Sequence, residues 1–423
     1  MRDHSKHIEV SWEEAVATIL NACDFALRVE TVPVSEAFGR VLAEDVVAQL
    51  DMPNTLTCSM DSIAVHWSDF AQLDGGIPDT STWVRGIDWE FANTGVGMPE
   101  GFDTAIVIEH VEVSDDEQRV RVLAAPSRQY AGTRPAGSKF HAGDVLVAAR
   151  TVVTPLLAAH IASGDNVEVK VIAKPRVAFL PTGNELVVAG GEIPAGRNIE
   201  SNSLLMKGKI EQWGGEALLF PITPDDPDAI RAAVRAAVAE ADIVVLNAGS
   251  SKGSDDWSIE ILEEIGRVHY HQTNHGPGHH SSFAVVDGTP VIGISGPPGG
   301  AAFTTDFYLR PAMRAFLGLD PHDMRIPVRL VQAFPQKAHA GAAQKALAGE
   351  TRPRESGPFF GIKQMVLRVA PDGALEALPL SSSHPEPGEA EGARAYYALP
   401  SGPGLKPPQV GDIIEVSLRP EWN

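Results

Sequence analysis

The spacing of apolar residues changes along the chain, and each spacing predicts a different kind of element. In "SWEEAVATILNACDFAL", Ser11 and Glu14 form a capping-box pair ahead of Ala15, Ile19 and Ala22, which predicts a helix beginning at Ser11. "VPVSEAFGRVLAEDVVA" predicts a short helix around 35–41 and then a strand. From Asp51 to about Arg150, short alternating runs such as "TAIVIEHVEV" and "QRVRVLAA" are broken by Gly, Pro and Asp, the pattern of a small β-rich domain.

Between about Lys174 and Leu319 the rhythm becomes strand, loop, helix. "RVAFLP", "DIVVLN" and "TPVIGI" are continuously apolar, as expected of buried parallel strands. Between them, "DDPDAIRAAVRAAVAEA" places Ile230, Val234 and Val238 on one helical face. The section therefore predicts an α/β layer structure. Beyond Asp320, "IPVRLVQ", "QMVLRVA" and "DIIEVSLRP" are separated by long polar stretches and predict a small closing β domain. The Gly and Pro clusters of 382–392 predict a surface loop. No internal repeat is visible.

Composition narrows the functional classes. The 423 residues are 43% hydrophobic and 21% charged, which suits an ordinary globular protein of several domains. A net charge of −21 argues against nucleic acid or an anionic membrane as the main partner, so an anionic ligand needs a local site. Two cysteines, Cys23 and Cys58, are too few for a disulfide framework or a cysteine-rich metal site. The start "MRDHSKHIEVSWEEA" has no apolar signal core, and no run reaches the ~18 apolar residues of a membrane span. The expectation is a soluble cytoplasmic protein.

Ligands of an open parallel sheet bind beyond the carboxyl ends of its strands. Four glycine-bearing loops follow predicted strands there: "PTGNELV" from Pro181, "NAGSSKGSDD" from Asn247, "NHGPGHHSS" from Asn274 and "SGPPGGA" from Ser295. Glycines let backbone amides approach an anion, and a helix opening directly after "SGPPGG" would add its dipole. Glycines after strands are also ordinary turn punctuation, and Asp225 and Asp226 suit a helix N-cap and first-turn acid. His269, His271, His275, His279 and His280 fall within a dozen residues. They match no recognised metal-ligand spacing, and His269 and His271 alternate as exposed strand residues would.

Several of these segments together resemble one family, the molybdopterin molybdenumtransferases of the MoeA and gephyrin E-domain group. "TCSMDSIAV" is similar to its Ser-x-Asp core, with Ser59 and Asp61. "NTGVGMPEGFD" resembles its Thr-Gly-x-x-x-Pro-x-Gly-x-Asp stretch through Thr94, Gly95, Pro99, Gly101 and Asp103. "RVAFLPTGNELV" resembles its Thr-Gly-Asp-Glu-Leu loop, with Asn184 replacing the acid and Glu185 kept. Ser201, Asn202, Asp225 and Asp226 match further positions, and "NAGSSKGSDDWS" resembles its Gly-Gly-x-Ser-x-Gly-x-x-Asp loop through Gly249, Ser251, Gly253 and Asp256.

The resemblance implies an α/β plus β fold in an elongated multidomain protomer: a MogA-like α/β domain over 1–28 and 172–320, a linking domain over 29–50 and 141–171, a β-rich domain over 51–140, and a small C-terminal β-barrel over 321–423. It also implies a homodimer with the site between subunits, and insertion of molybdate into adenylylated molybdopterin with Mg²⁺ and release of AMP. On that reading Asp61, Glu185, Asp226 and Asp256 are catalytic, and Asp61, Asp225, Asp226 and Asp256 hold metal. Thr94, Gly95, Thr182 and Gly183 bind the cofactor substrate, with Gly249, Ser251 and Gly253. Pro277, Gly278, His279, Ser295 and Gly296 complete that set.

The departures fall on one chemistry. The family's Lys-Pro-Gly-Lys-Pro loop reads Gly276-Pro277-Gly278-His279-His280, its Gly-Asn-Pro loop carries Pro297, and its Gly-Glu-Asp reads Gly137-Ser138-Lys139. Lysines are natural point-charge partners for phosphate or molybdate, so their loss removes anion ligands that His279 or Lys252 would have to replace. Three functions remain open: an active transferase for molybdenum or tungsten, a pterin-binding carrier or assembly protein without insertion activity, and a scaffold.

Overall fold

A computed structural model describes residues 8–248, 257–335, 358–380, 392–402 and 404–419. The chain divides into two compact units, one running Arg28–Ile172 and the other joining the segment up to Leu27 to everything from Ala173 onward.

The Arg28–Ile172 unit is built from short antiparallel pairings. Val29–Pro33 pairs with Glu168–Ile172 and packs with the helix Pro155–Ser163 around Leu42, Val153, Ile161 and Val171. Thr154 caps that helix by accepting from the Leu157 amide. A three-stranded sheet, Trp89–Ala92, Ser62–Val65 and Thr104–Val107, gathers Ile63, Val65, Trp89 and Ile106 into a second core. The helix expected around 35–41 is only the 3₁₀ turn Val34–Glu36. Gly39 then takes a left-handed φ of 73° and Val41 and Leu42 turn to β-bridges, so the chain reverses before a second helical turn can form.

The other unit contains a six-stranded sheet in the order Glu216–Leu219, Arg176–Pro181, Ile243–Ala248, Thr289–Ser295, Ser282–Val286, Arg267–Tyr270. The first four strands are parallel, whereas Ser282–Val286 runs against both neighbours, so the sheet is mixed rather than wholly parallel. The alternation of a strand covers both faces. Val177 and Phe179 pack under the helices Trp12–Ala22 and Asn202–Gln212, while Ala178 and Leu180 pack under Pro227–Glu240 and Ser258–Ile265. The predicted capping box is formed, with Ser11 Oγ accepting from the Glu14 amide and the Glu14 carboxylate accepting from the Ser11 amide. On Pro227–Glu240, Ile230 and Val234 are buried as the spacing requires, joined by Ala237.

After Thr289–Ser295 a helix runs Pro298–Thr304, passes through a π-helical turn at Thr305–Leu309 and continues as Arg310–Phe316. The strands Arg325–Leu330, Leu375–Pro379, Phe359–Val369, Ala393–Ser401 and Ile413–Leu418 then close into a five-stranded barrel. Closure leaves none of its strands as an open edge within the ring. The two-residue strand His275–Gly276 adds alongside Phe359–Val369, with His275 opposite Phe360. Among the described residues no helix is long and apolar enough to cross a membrane.

Candidate functional site

Three parallel strands end level with one another, with Pro181 opposite Asn247, Asn247 opposite Ile294, and Ala248 opposite Ser295. Their register brings the loops that follow to one edge. Two buried amides knit those loops together: Asn202 Nδ2 donates to Asn247 Oδ1 and to the Gly296 carbonyl, both at 2.8 Å. Asn247 Nδ2 in turn donates to the Ser295 carbonyl at 2.9 Å. Thr182 joins the same knot through its amide and hydroxyl, which donate to the Asn247 carbonyl at 3.0 and 3.3 Å. The two donor bonds orient the Asn202 amide, and its Oδ1 is buried with no hydrogen-bond partner among the described residues. Leaving such an acceptor unmet costs about 1–3 kcal/mol, so an N–H donor at that point would be favoured.

The loop after Thr182 is held from its other side. Asn184 N–H donates to Asp225 Oδ2 at 2.9 Å, and Asp225 N–H donates back to Asn184 Oδ1 at 3.2 Å. Asp226 is the N-cap of Pro227–Glu240, its Oδ1 accepting from the Ala229 amide at 2.9 Å. Glu185 is exposed and lies over Gly183, where an added Cβ would come within 2.6 Å of its carboxylate.

The loop Gly276–His280 is anchored from beneath. His275 is fully buried; its Nε2 is 2.6 Å from the Tyr308 hydroxyl and its Nδ1 3.1 Å from the Pro277 carbonyl. Burial pushes the imidazole down to about 4, with the nearby His279 acting in the same direction against the bond to Pro277, and burial raises the Tyr308 phenol. At neutral pH the Tyr308 O–H therefore donates to Nε2 and the Nδ1–H donates to Pro277. Gly278 has a φ of +96°, and an added Cβ would lie 2.4 Å from Thr304 Cγ2, so both backbone and packing demand glycine. Ser281 Oγ donates to the Gly278 carbonyl at 2.6 Å. Pro277 is exposed, and His279 and His280 are half-buried with ring centroids 3.6 Å apart. His271, expected to be exposed, is buried at 4% because the chain has left the strand Arg267–Tyr270 to pair Gln272–Thr273 with Glu9–Val10.

In the Arg28–Ile172 unit, Asp61 Oδ1 accepts from the Thr94 amide at 2.9 Å and the Thr94 hydroxyl at 3.0 Å. These bonds hold its carboxyl below the usual range. Gly95 follows with a φ of 76°. Asp61 and Thr94 are thus brought together with Gly95, and Thr182, Gly183, Ser295 and Gly296 are brought together on the sheet edge. The loop of Pro277, Gly278 and His279 packs there too, against the helix that follows Gly296, with Gly300 near Gly278. Gly249, Ser251, Gly253 and Asp256, with Lys252, lie outside the described residues.

Among the described residues no group of three or more His, Cys, Asp or Glu converges to hold a metal ion. Asp225 and Asp226 each commit an oxygen to a backbone amide. The described donors therefore do not make a Mg²⁺ site, and no chemical step is routed through one here. Sequence reasoning did not single out the Asn202 and Asn247 amides or the His275 and Tyr308 pair as a framework. An asparagine ending an apolar strand was the available signal at Asn247; the other partnerships arise from residues far apart in the chain.

A sheet whose level strand ends carry amide-bound glycine loops, followed by a closed barrel, defines a class of multidomain α/β plus β protein. Residues 10–164 match the family model "MoeA N-terminal region (domain I and II)" and residues 178–315 match "Probable molybdopterin binding domain". The chain belongs to the MoeA family. A molybdopterin molybdenumtransferase of Nostoc is 29% identical over 307 residues, covering 69% of this chain and 70% of its own. One of Haemophilus influenzae is 27% identical over 316 residues, covering 72% and 77% respectively. The crystal structure of a molybdopterin biosynthesis MoeA protein from Pyrococcus horikoshii superposes with a TM-score of 0.74 at 22% identity, across 97% of this chain and 99% of that one.

Proposed function

We propose that this protein acts in molybdenum cofactor biosynthesis as a molybdopterin molybdenumtransferase, inserting molybdate into adenylylated molybdopterin and releasing AMP. The observation that carries this reading is the loop edge tied by Asn202 and Asn247, where the buried Asn202 Oδ1 meets no N–H donor among the described residues. A pterin ring supplies such donors. In the reaction, water adds to one phosphorus of the anhydride, the bridging bond breaks and AMP leaves. Two dithiolene sulfurs replace oxygens of molybdate, which depart as water.

Thr182, Gly183, Ser295 and Gly296 are proposed to position the pterin and its phosphate, and Gly249, Ser251 and Gly253 to add backbone amides. Backbone N–H groups fixed in this way stabilise charge that develops on phosphoryl oxygens without having to reorganise. Glu185 and Asp61, with Asp226 and Asp256, are the candidate acids for orienting water and substrate. The protein is proposed to work as a cytoplasmic homodimer, for which the exposed Phe38, Leu156 and Val167 of the Arg28–Ile172 unit offer apolar surface.

A second reading has a specific observation behind it: the loop Gly276–His280 carries no lysine, and its two half-buried imidazoles lie side by side with their planes tilted by 45°. A carrier or assembly protein that binds molybdopterin without inserting metal would tolerate that loss. Anaerobic incubation with adenylylated molybdopterin, Mg²⁺ and molybdate decides between them. Molybdate-dependent AMP release is expected; tight binding with no AMP, from molybdate or from tungstate, would establish the second reading instead.

A further inference from the structure

Among the described residues, the barrel and the loop 276–280 are fastened to each other in two ways. The first is Asn274, 1% exposed and placed just before the loop. Its side chain serves two segments at once: Oδ1 accepts from the Trp12 amide at the start of the helix Trp12–Ala22, and Nδ2 donates to the Pro358 carbonyl, both at 3.0 Å. A single amide side chain can do this because it carries an acceptor and a donor side by side. Its backbone repeats the pattern, the amide donating to the Val10 carbonyl at 3.1 Å and the carbonyl accepting from the Phe360 amide at 2.8 Å. Pro358 leads into the barrel strand Phe359–Val369, and His275 and Gly276 then pair with Phe360 and Gly361. Asn274 therefore sets the N-terminal segment, the barrel and the root of the loop in one register.

The second fastening runs through the π-helical turn Thr305–Leu309. Tyr308 donates its hydroxyl proton to His275 Nε2, 2.6 Å away, beneath the loop. Two residues earlier, Asp306 pairs with the Lys209 ammonium and accepts at 2.8 Å from the hydroxyl of Tyr396, on the barrel strand Ala393–Ser401. Asp306 is 2% exposed and Tyr308 fully buried, so the path is close-packed and a shift of the barrel strand is passed through the turn to the imidazole.

Both fastenings end at the root of the loop. Backbone amides recognise an anion best when they are already fixed and need not reorganise. We propose that Asn274 is a positioning residue that couples the loop to the barrel: an anion held by the loop tightens the seating of the barrel, and a firmly seated barrel raises the affinity of the loop. Linkage makes the two effects equal in size. The inference rests on the reading of this loop as part of the anion site and adds to it control of that site by the C-terminal domain.

The test uses the full-length protein with molybdate as probe, calorimetry for affinity and hydrogen exchange read by mass spectrometry for the barrel. Saturating molybdate is expected to slow exchange in Leu375–Pro379 and Ile413–Leu418, strands that pair within the barrel. Asn274→Asp keeps the acceptor for the Trp12 amide and loses the donor to Pro358; Tyr396→Phe keeps the ring and loses the hydroxyl that Asp306 receives. Each is expected to weaken molybdate about fivefold or more and to abolish the slowing. Tyr396→Phe decides the matter by itself where Asn274→Asp does not fold. A purely structural role lowers the unfolding midpoint of the variants yet leaves molybdate affinity and the response of the barrel as in the parent, and that result overturns the proposal. So does a parent protein that binds molybdate with no change in those strands. A parent that binds no molybdate removes the anion-site reading itself, and the coupling with it.

Discussion

Burial holds the His275 imidazole neutral, and that has a consequence for stability. In the unfolded chain the ring titrates near its ordinary 6.5, and in the fold near 4, so between those values the unfolded chain binds the extra proton. The stability His275 contributes is whole above about pH 6.5, declines as the pH falls through that window and is lost below about pH 4, an effect of about 3 kcal/mol. Urea midpoints compared at about pH 7.5 and about pH 4.5 should diverge less in His275→Gln than in the parent; an unchanged difference would show that the ring is not the titrating group. Gly278→Ala should destabilise by more than about 1 kcal/mol, since it meets both a left-handed φ and the Thr304 methyl. For the anion chemistry, His279→Lys is the informative substitution. Gly276→Lys would drive its Cβ to 2.9 Å from the Phe359 ring, whereas position 279 is only half-buried. His279→Lys is expected to tighten molybdate binding measured by calorimetry, and unchanged affinity would count against a cation in this loop as an anion ligand. Gly278 could be marked from the sequence as a loop glycine, but the Thr304 methyl that excludes a side chain could not.

At the scale of elements, local signals did best where all the determinants were neighbours. The capping box of Ser11 and Glu14, the apolar face of Pro227–Glu240 and the apolar strands Arg176–Pro181, Ile243–Ala248 and Thr289–Ser295 all form as their spacing predicts. The 3₁₀ turn at Val34–Glu36, the reversed strand Ser282–Val286 and the burial of His271 were not readable, because each depends on where distant chain returns. The π-helical turn Thr305–Leu309 is of the same kind. It presents Tyr308 to His275 under the loop and Asp306 to Lys209 and to Tyr396 of the barrel, so one turn serves both the sheet edge and the barrel. Lys209→Met, which strands the Asp306 charge in the interior, should cost about 3–5 kcal/mol in denaturant unfolding, and Lys209→Met combined with Asp306→Leu should recover much of it. A double variant no more stable than the single one would mean that the ion pair itself, not the stranded charge, sets the cost.

On the scale of the whole molecule, the prediction concerns assembly. A homodimer is expected by light scattering at micromolar concentration, and charged substitutions at Leu156 and Val167 should shift it toward monomer; a monomeric parent protein would remove the two-subunit site from the proposal. Family, α/β layering, the closing β domain and the glycine loops were all legible in the sequence, since periodicity and turn chemistry are properties of consecutive residues. Tertiary structure decided what those residues hold: that Asn202 and Asn247 tie the loops, that Asp226 caps a helix, and that His275 rests on Tyr308. Hydrogen bonds and burial join groups as far apart as the Trp12 amide and Asn274 Oδ1, 262 residues along the chain, and nothing in the order of the chain encodes which distant partner each buried polar group will meet until burial obliges it to find one.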